Sequence, residues 1–204
     1  NATAALAGQG DFMPAAAQKL PVSSSAETIE VTMSQASGLT LIGRGAVPGK
    51  PVYIEVVNAA GATGLSVQAG YIRTAGDAFG DENWNKGYRR PARPHSIAIP
   101  LAASGETVFN TPFGGPLYLR YSGATAGQSI ILKIRGAAKY AHFDFTRPQN
   151  QADTAEALAA LSRQDFGWQT AKFPGGEIEQ TIDRGVASLT NKTPETTPFT
   201  GTTC

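Results

Sequence analysis

The stretch Val47-Pro48-Gly49-Lys50-Pro51-Val52-Tyr53-Ile54-Glu55-Val56-Val57 contains the clearest strand pattern in this chain. Proline presets φ and glycine supplies the turn conformation before a run of β-branched residues, which favours extended backbone. The earlier segment Thr28 to Met33 alternates strictly, with its apolar side chains on one face, as a half-buried strand requires. Similar runs recur up to Phe145 about every 10 to 15 residues, separated by Gly, Pro and Asn. We therefore predict a mainly β fold, an antiparallel β-sandwich of about eight strands.

The pattern changes after Arg147-Pro148 to that of one C-terminal amphipathic helix. Asp153 is predicted as its N-cap, with Glu156 three residues later and an apolar stripe that extends up to Gly167. A further strand is predicted at 177–183. We therefore predict that the chain has four parts: an N-terminal extension or linker (1–26), the β-sandwich (27–147), a helix and strand appendage packed on it (148–189), and a Thr- and Pro-rich tail (190–204).

Composition limits the possible functions. The chain has 204 residues, of which 41% are hydrophobic and 16% charged, with 23 Gly and 13 Pro, and its net charge is +1. No large field of one sign exists to attract nucleic acid or anionic lipid, and no apolar run is long enough to span a membrane. This turn-rich, weakly charged composition is typical of secreted or cell-surface bacterial β-proteins, so we expect an extracytoplasmic protein.

The single cysteine, Cys204, is the last residue of the sequence, so no disulfide can form within the chain. We expect the chain to be a piece of a longer protein. There are two alternatives: Cys204 pairs with a residue beyond the end of this sequence, or it is a free thiol. The chain begins at Asn1 and shows no basic and apolar leader, which agrees with a removed signal peptide.

Residues that perform catalysis are scarce. The chain has two histidines, His95 and His142, and no His-Glu-x-x-His, so we predict no metal site and no catalytic residue. We interpret His95 as a surface or turn residue and His142 as a hydrogen-bonded strand residue. There is no Gly-x-Ser-x-Gly elbow and no phosphate loop, and Gly43-Arg44-Gly45 is interpreted as a turn at the end of a strand.

One long loop, from Thr74 to Arg93, contains the best candidates for recognition. Its acidic residues, Asp77, Asp81 and Glu82, suggest a calcium site or a glycosidase pair, but a solvated loop accounts for them more simply. Aromatic rings and guanidinium groups are common anchors for sugars or peptides, and packing of the loop or contact with another domain is the alternative. The residues of this recognition cluster are Trp84, Tyr88, Arg89 and Arg90.

A series of short motifs resembles the enhancin-like zinc metallopeptidases, which include mucin-attacking proteases, accessory colonisation factors and immunomodulating metalloproteases. The motifs lie between about residues 38 and 185, and Phe113-Gly114-Gly115-Pro116-Leu117-Tyr118 is the most specific. In order they are Pro48 to Val56, Val67 to Gly70, Arg90-Pro91, Thr111 to Leu119, Gly136-Ala137 and His142-Phe143.

The resemblance implies a β-sandwich that precedes a catalytic domain carrying His-Glu-x-x-His and a downstream Glu. Because that zinc-binding helix is missing here, the resemblance implies a non-catalytic accessory domain, with zinc in the catalytic domain and no cofactor in this chain. It also implies a secreted or surface protein that acts on O-glycosylated, mucin-like glycoproteins. Its partners would be the catalytic domain of the same polypeptide and the glycoprotein or its O-glycan.

Two other functions are consistent with the same pattern: an autonomous carbohydrate-binding or adhesion module of a bacterial surface protein, and a purely structural domain. Phe113, Gly114, Gly115 and Tyr118 are candidates for contact with a ligand or another domain. Alternatively, the two glycines permit a tight turn or bulge, and the two aromatic rings belong to the core.

Overall fold

The computed structural model describes residues 13–70, 96–148, 151–182 and 186. A short 3₁₀ helix (Ala15–Lys19) is followed by nine strands, a helix and two more strands. These are β1 (Glu27–Thr32), β2 (Gly38–Ala46), β3 (Val52–Asn58), β4 (Thr63–Ala69), β5 (Ile99–Pro100), β6 (Glu106–Phe109), β7 (Gly115–Ser122), β8 (Ser129–Arg135), β9 (Ala141–Asp144), α1 (Gln151–Arg163), β10 (Trp168–Phe173) and β11 (Gly176–Thr181).

The strands form three sheets. Two are four-stranded and antiparallel, in the orders β1-β8-β3-β6 and β2-β7-β4-β5, and the third has the order β11-β10-β9. The prediction of a mainly β fold with antiparallel sheets and a helix is confirmed. Helices in the described ranges are too short or too polar to cross a bilayer.

The two four-stranded sheets contribute to one hydrophobic cluster, which we call the shared core. Alternate residues of β3 and β8 point into it, among them Val52, Ile54 and Leu132, none of which is exposed. From the other sheet, β7 supplies Leu117 and Leu119. The period-two pattern of the sequence places these residues on the inner faces of their strands.

The third sheet differs from the predicted arrangement. Residues 139–145 were assigned to the β-sandwich, but β9 pairs with β10 in parallel, and β10 forms a hairpin with β11. β10 itself was not predicted, because its buried positions include Thr170 and Lys172, so the strand lacks an apolar alternation. The helix begins at Gln151, so Asp153 lies in its first turn and is not the N-cap.

The described part of the N-terminal segment packs on the rest of the molecule. Ala17 and Leu20 are buried in a second cluster with Phe166 and Trp168, and the Lys50 Nζ donates a hydrogen bond to the Leu20 carbonyl at 3.1 Å. The division of the chain into the four parts given above remains a prediction.

Candidate functional site

The turn that leads into β7 holds three of the residues predicted for contact. Gly114 has a φ of +65°, and a Cβ there would lie 2.6 Å from the Ala46 carbonyl oxygen. Gly115 has a φ of +110°, and its Cβ would lie 2.6 Å from the Cα of Gly70. Both positions combine a left-handed backbone with close approach of another chain segment, so glycine is required by the turn. Phe113, beside them, is 39% exposed.

Tyr118 does not reach the surface. It is buried on the side of β7 that faces away from the shared core, and its hydroxyl group donates a hydrogen bond to the Glu179 carboxylate on β11. The aromatic ring therefore connects two sheets.

The recognition cluster of the long loop, Trp84, Tyr88, Arg89 and Arg90, lies outside the described residues, as do His95 and the acidic residues of that loop. The described residues on either side of the segment lie close together, since the Ser96 amide donates to the Ala69 carbonyl at 2.7 Å. They also adjoin the glycine turn, because the Gly70 amide donates to the Pro116 carbonyl at 3.0 Å. The Phe113 turn and the two ends of the segment therefore share one region of the molecule.

A second region, which we call the seam, is the contact between β2 and the third sheet. Gly43 and Gly45 lie inside β2 at an irregularity in its pairing with β7, so their interpretation as a turn at the end of a strand is wrong. A Cβ on Gly43 would lie 2.6 Å from the His142 ring, and a Cβ on Gly45 would lie 2.2 Å from the Phe166 ring. The bulge and the missing side chains let the third sheet approach β2 closely.

A chain of hydrogen bonds runs through the seam. The Thr170 hydroxyl group lies 2.8 Å from both the Tyr140 hydroxyl and the His142 Nδ1. Burial lowers the pKa of His142 to about 4 and raises the pKa of Tyr140, so both groups are neutral at pH 7. The interpretation of His142 as a hydrogen-bonded strand residue is confirmed.

Charged groups of the third sheet also contact β1 and β2. The Lys172 side chain is almost completely buried, and its Nζ donates to the Thr32 carbonyl at 2.6 Å. Burial lowers the Lys172 pKa, while the Glu177 and Asp144 carboxylates oppose that shift. Glu177 accepts hydrogen bonds from the Thr40 hydroxyl at 2.5 Å and the Leu41 amide at 2.9 Å. The Glu177 carboxylate of β11 thus satisfies two polar groups of β2.

At one edge of the seam lies a cavity of about 220 Å³, which we call the cleft. Residues of β1, β2, β9 and the first turns of α1 line it, including Thr28, Glu30, Gly43 and His142. Ion pairs span or border it: Arg44 to Glu27 at 2.7 Å, Lys139 to Glu156 at 3.0 Å, and Arg147 to Asp144 at 3.4 Å. The cleft is a polar concave site with charges of both signs.

Sequence reasoning did not find the cleft, because its residues are contributed by segments up to about 130 positions apart and match no motif. One signal was available, since Lys139 and Arg147 flank the His142-Phe143 motif. Within the described ranges, no three His, Cys, Asp or Glu side chains form a group that could hold a metal ion.

Comparison with known proteins finds relatives that match most of the chain. The immunomodulating metalloprotease of Pseudomonas aeruginosa is 32% identical over 182 residues, which are 88% of this chain and 19% of that protein. A solved structure of IMPa metallopeptidase from Pseudomonas aeruginosa matches with a TM-score of 0.78 at 30% identity, over 90% of this chain and 20% of that one. IMPa from Pseudomonas aeruginosa in complex with an O-glycopeptide matches with a TM-score of 0.75 at 31% identity, over 88% and 20%.

No family model matches the sequence. The chain spans about a fifth of the length of the relatives it matches. The agreement in both sequence and fold over that part establishes homology between this chain and one portion of those proteins.

Proposed function

Since this chain is homologous to one part of the immunomodulating metalloprotease, we propose that it is a non-catalytic accessory domain of a secreted zinc metallopeptidase. In this proposal the longer protein acts on O-glycosylated, mucin-like glycoproteins, and this domain positions the substrate or supports the catalytic domain. The observation that carries the proposal is the structural match over 90% of this chain but only 20% of a metallopeptidase chain. The O-glycopeptide in complex with IMPa supports the choice of substrate class.

The zinc site belongs to the catalytic domain in this proposal, because the present sequence has only two histidines and no His-Glu-x-x-His. The catalytic domain of the same polypeptide is the proposed partner, and the protein is exported from a bacterial cell. The two four-stranded sheets form the proposed β-sandwich, and the shared core between them supports that architecture.

We place the proposed contact with ligand or catalytic domain at the Phe113 turn. Phe113 is the partly exposed aromatic residue there, and Gly114 and Gly115 hold the turn in place. Trp84, Tyr88, Arg89 and Arg90 belong to the same proposal, because the described ends of their segment adjoin this turn. Tyr118 supports the surface from behind through its bond to Glu179.

The proposal is tested by reading the gene that encodes this chain and by deleting the domain from its product. We expect a downstream His-Glu-x-x-His with a distal Glu, and no cleavage of an O-glycoprotein by the isolated 204 residues. Deletion should lower kcat/KM for a large mucin-like substrate more than for a short O-glycopeptide, because the short substrate contacts mainly the catalytic domain. A gene without the zinc motif, or equal kcat/KM values with and without the domain, would contradict the proposal.

An autonomous carbohydrate-binding module is the second candidate function, and the polar cleft is the observation that favours it. Binding of sugars by the isolated chain, together with a gene that lacks the zinc motif, would favour this second function over the first.

A further inference from the structure

The cleft has the features of a small binding site. It is concave, has a volume of about 220 Å³, and lies where β1, β2, β9 and α1 meet. Sites for drug-sized ligands usually have volumes of about 300–1,000 Å³. A cavity of this smaller size fits a ligand with the dimensions of a single six-membered ring.

The cations around the cleft are all paired with carboxylates. Each cation that lines it already faces a carboxylate within 4 Å: Arg44 faces Glu27, Lys139 faces Glu156, and Arg147 faces Asp144. An anionic ligand would have to break one of these pairs and leave its partner in a partly desolvated position, which is costly. The paired cations therefore disfavour an anionic ligand.

Two side chains of β1 are available for a new hydrogen bond. Thr28 and Glu30 line the cleft and are exposed, and their side chains make no hydrogen bond or ion pair with any other described residue. The Thr28 hydroxyl can donate and accept, and the Glu30 carboxylate can accept two donors. A ligand with several hydroxyl groups satisfies both.

β9 contributes an aromatic residue and a fixed imidazole to the cleft. Phe143 is half-buried and is a lining residue of the cleft, beside His142. Contacts with Thr170 and with the backbone at Gly43 hold the His142 ring in place. A sugar ring has both an apolar C–H face, which packs on aromatic rings, and hydroxyl groups at its edge.

From this combination we propose that the cleft binds one neutral sugar ring, with hydroxyl groups on Glu30 and Thr28 and its C–H face toward Phe143. The site is separate from the Phe113 turn. It deepens the glycoprotein-directed role proposed above and rests on it for its biological context, but binding by the isolated chain can be measured without any protease.

The test measures binding of free galactose, N-acetylgalactosamine, N-acetylglucosamine and mannose to the full 204-residue chain by saturation-transfer NMR and calorimetric titration. For a single ring we expect Kd values on the order of 1–10 mM. Phosphate and methylammonium serve as anionic and cationic probes of smaller size.

The variant Glu30→Gln keeps the shape of the side chain and removes its charge, and we expect about tenfold weaker binding. Thr28→Phe should fill the mouth of the cleft and abolish binding. The matched control is Glu55→Gln, on the outer side of β3 in the same sheet and away from the cleft, which should leave Kd unchanged. Circular dichroism checks that each variant is folded.

Three results would overturn the proposal: no transfer to any of the four sugars, sugar binding that Glu30→Gln and Thr28→Phe leave intact, or binding of phosphate or methylammonium in preference to sugars. Sugar binding at the cleft without any effect of domain deletion on glycoprotein cleavage would keep this inference and contradict only the accessory role.

Discussion

The shared core and the seam bring sheets together in different ways. In the shared core, residues such as Val52, Leu117 and Leu132 are apolar and completely buried, so the hydrophobic effect supplies the attraction between the two four-stranded sheets. In the seam, the third sheet meets β2 through a glycine bulge, buried polar groups and a small aromatic cluster. Burial of polar groups stabilises a contact only if their hydrogen bonds are made. The core therefore tolerates exchange of one apolar residue for another, whereas the seam depends on particular partners.

The cleft lies at the edge of the seam and not in the shared core. An apolar interface between sheets excludes water and polar ligands, whereas an interface made of ion pairs and hydrogen bonds leaves polar groups near the surface. The seam, whose stability depends on specific partners, is thus also the region whose polar groups can bind a ligand.

The largest expected effect comes from the aromatic cluster of the seam. Trp168 is completely buried, and replacing it with Ala should lower the free energy of unfolding by about 3–5 kcal/mol, since a cavity remains. The comparison variant is Leu132→Ala in the shared core, for which about 2–5 kcal/mol is expected. Urea denaturation followed by circular dichroism measures both.

A loss below about 1 kcal/mol in Trp168→Ala, with a large loss in Leu132→Ala, would mean that the seam contributes little to stability. Such a result would break the comparison, because the third sheet would then be a weakly attached part of the fold.

The second effect is the pH dependence of the seam. Burial lowers the pKa of His142 from 6.5 to about 4, so the unfolded chain binds a proton more readily than the folded one between these values. The contribution of neutral His142 to the free energy of unfolding is therefore fully present above pH 6.5. It decreases as the pH falls toward 4, by about 3 kcal/mol. Asp144 opposes the shift, and Lys172, Arg44 and Arg147 reinforce it.

The measurement is the urea midpoint of the wild type and of His142→Gln at intervals between pH 4 and pH 7. Because carboxylates also titrate near pH 4, the difference between the two proteins isolates the histidine. If the urea midpoints of the two proteins change in parallel with pH, the prediction is contradicted. A steeper decrease of the midpoint in the wild type would assign this pH dependence to His142 in the seam.

The smallest of the three effects concerns one hydroxyl group. Thr170→Val preserves the shape of the side chain but leaves Tyr140 and His142 without their shared partner, and we expect a loss of about 1–3 kcal/mol. The control is Thr107→Val on β6, whose hydroxyl accepts a hydrogen bond from the Ala102 amide at an exposed position. Equal midpoints for the two variants would show that the buried hydrogen bonds of the seam are no more important than an exposed one.

The strands of the two four-stranded sheets could be predicted because their pattern is local. Val52 and Ile54 alternate with Tyr53 and Glu55, and the same period appears in β1 and β8. The turn at Gly114-Gly115 was also predictable, because tight turns need positive φ values that glycine adopts readily. Both glycines have positive φ values in the structure. The expected contact of Phe113 and of the Trp84 segment with a partner stays a prediction.

The third sheet and the cleft could not be predicted in this way. The buried side chains of β10 include Thr170 and Lys172. A hydropathy pattern predicts that residues of these types are exposed. Their partners are far away in the sequence: Thr170 meets His142 across 28 residues, and Lys172 meets Thr32 across 140. Nothing in the neighbourhood of either residue indicates such a partner.

The sequence by itself therefore determined the mainly β fold, most strands with their inner faces, and the resemblance to one family, because alternation and turn residues act over a few positions. The tertiary structure decided that β9 and β10 pair in parallel, that Gly43 and Gly45 receive His142 and Phe166, and that ion pairs from four elements surround one cleft. These features depend on distances between segments that are remote in the chain, and only the packed molecule fixes those distances.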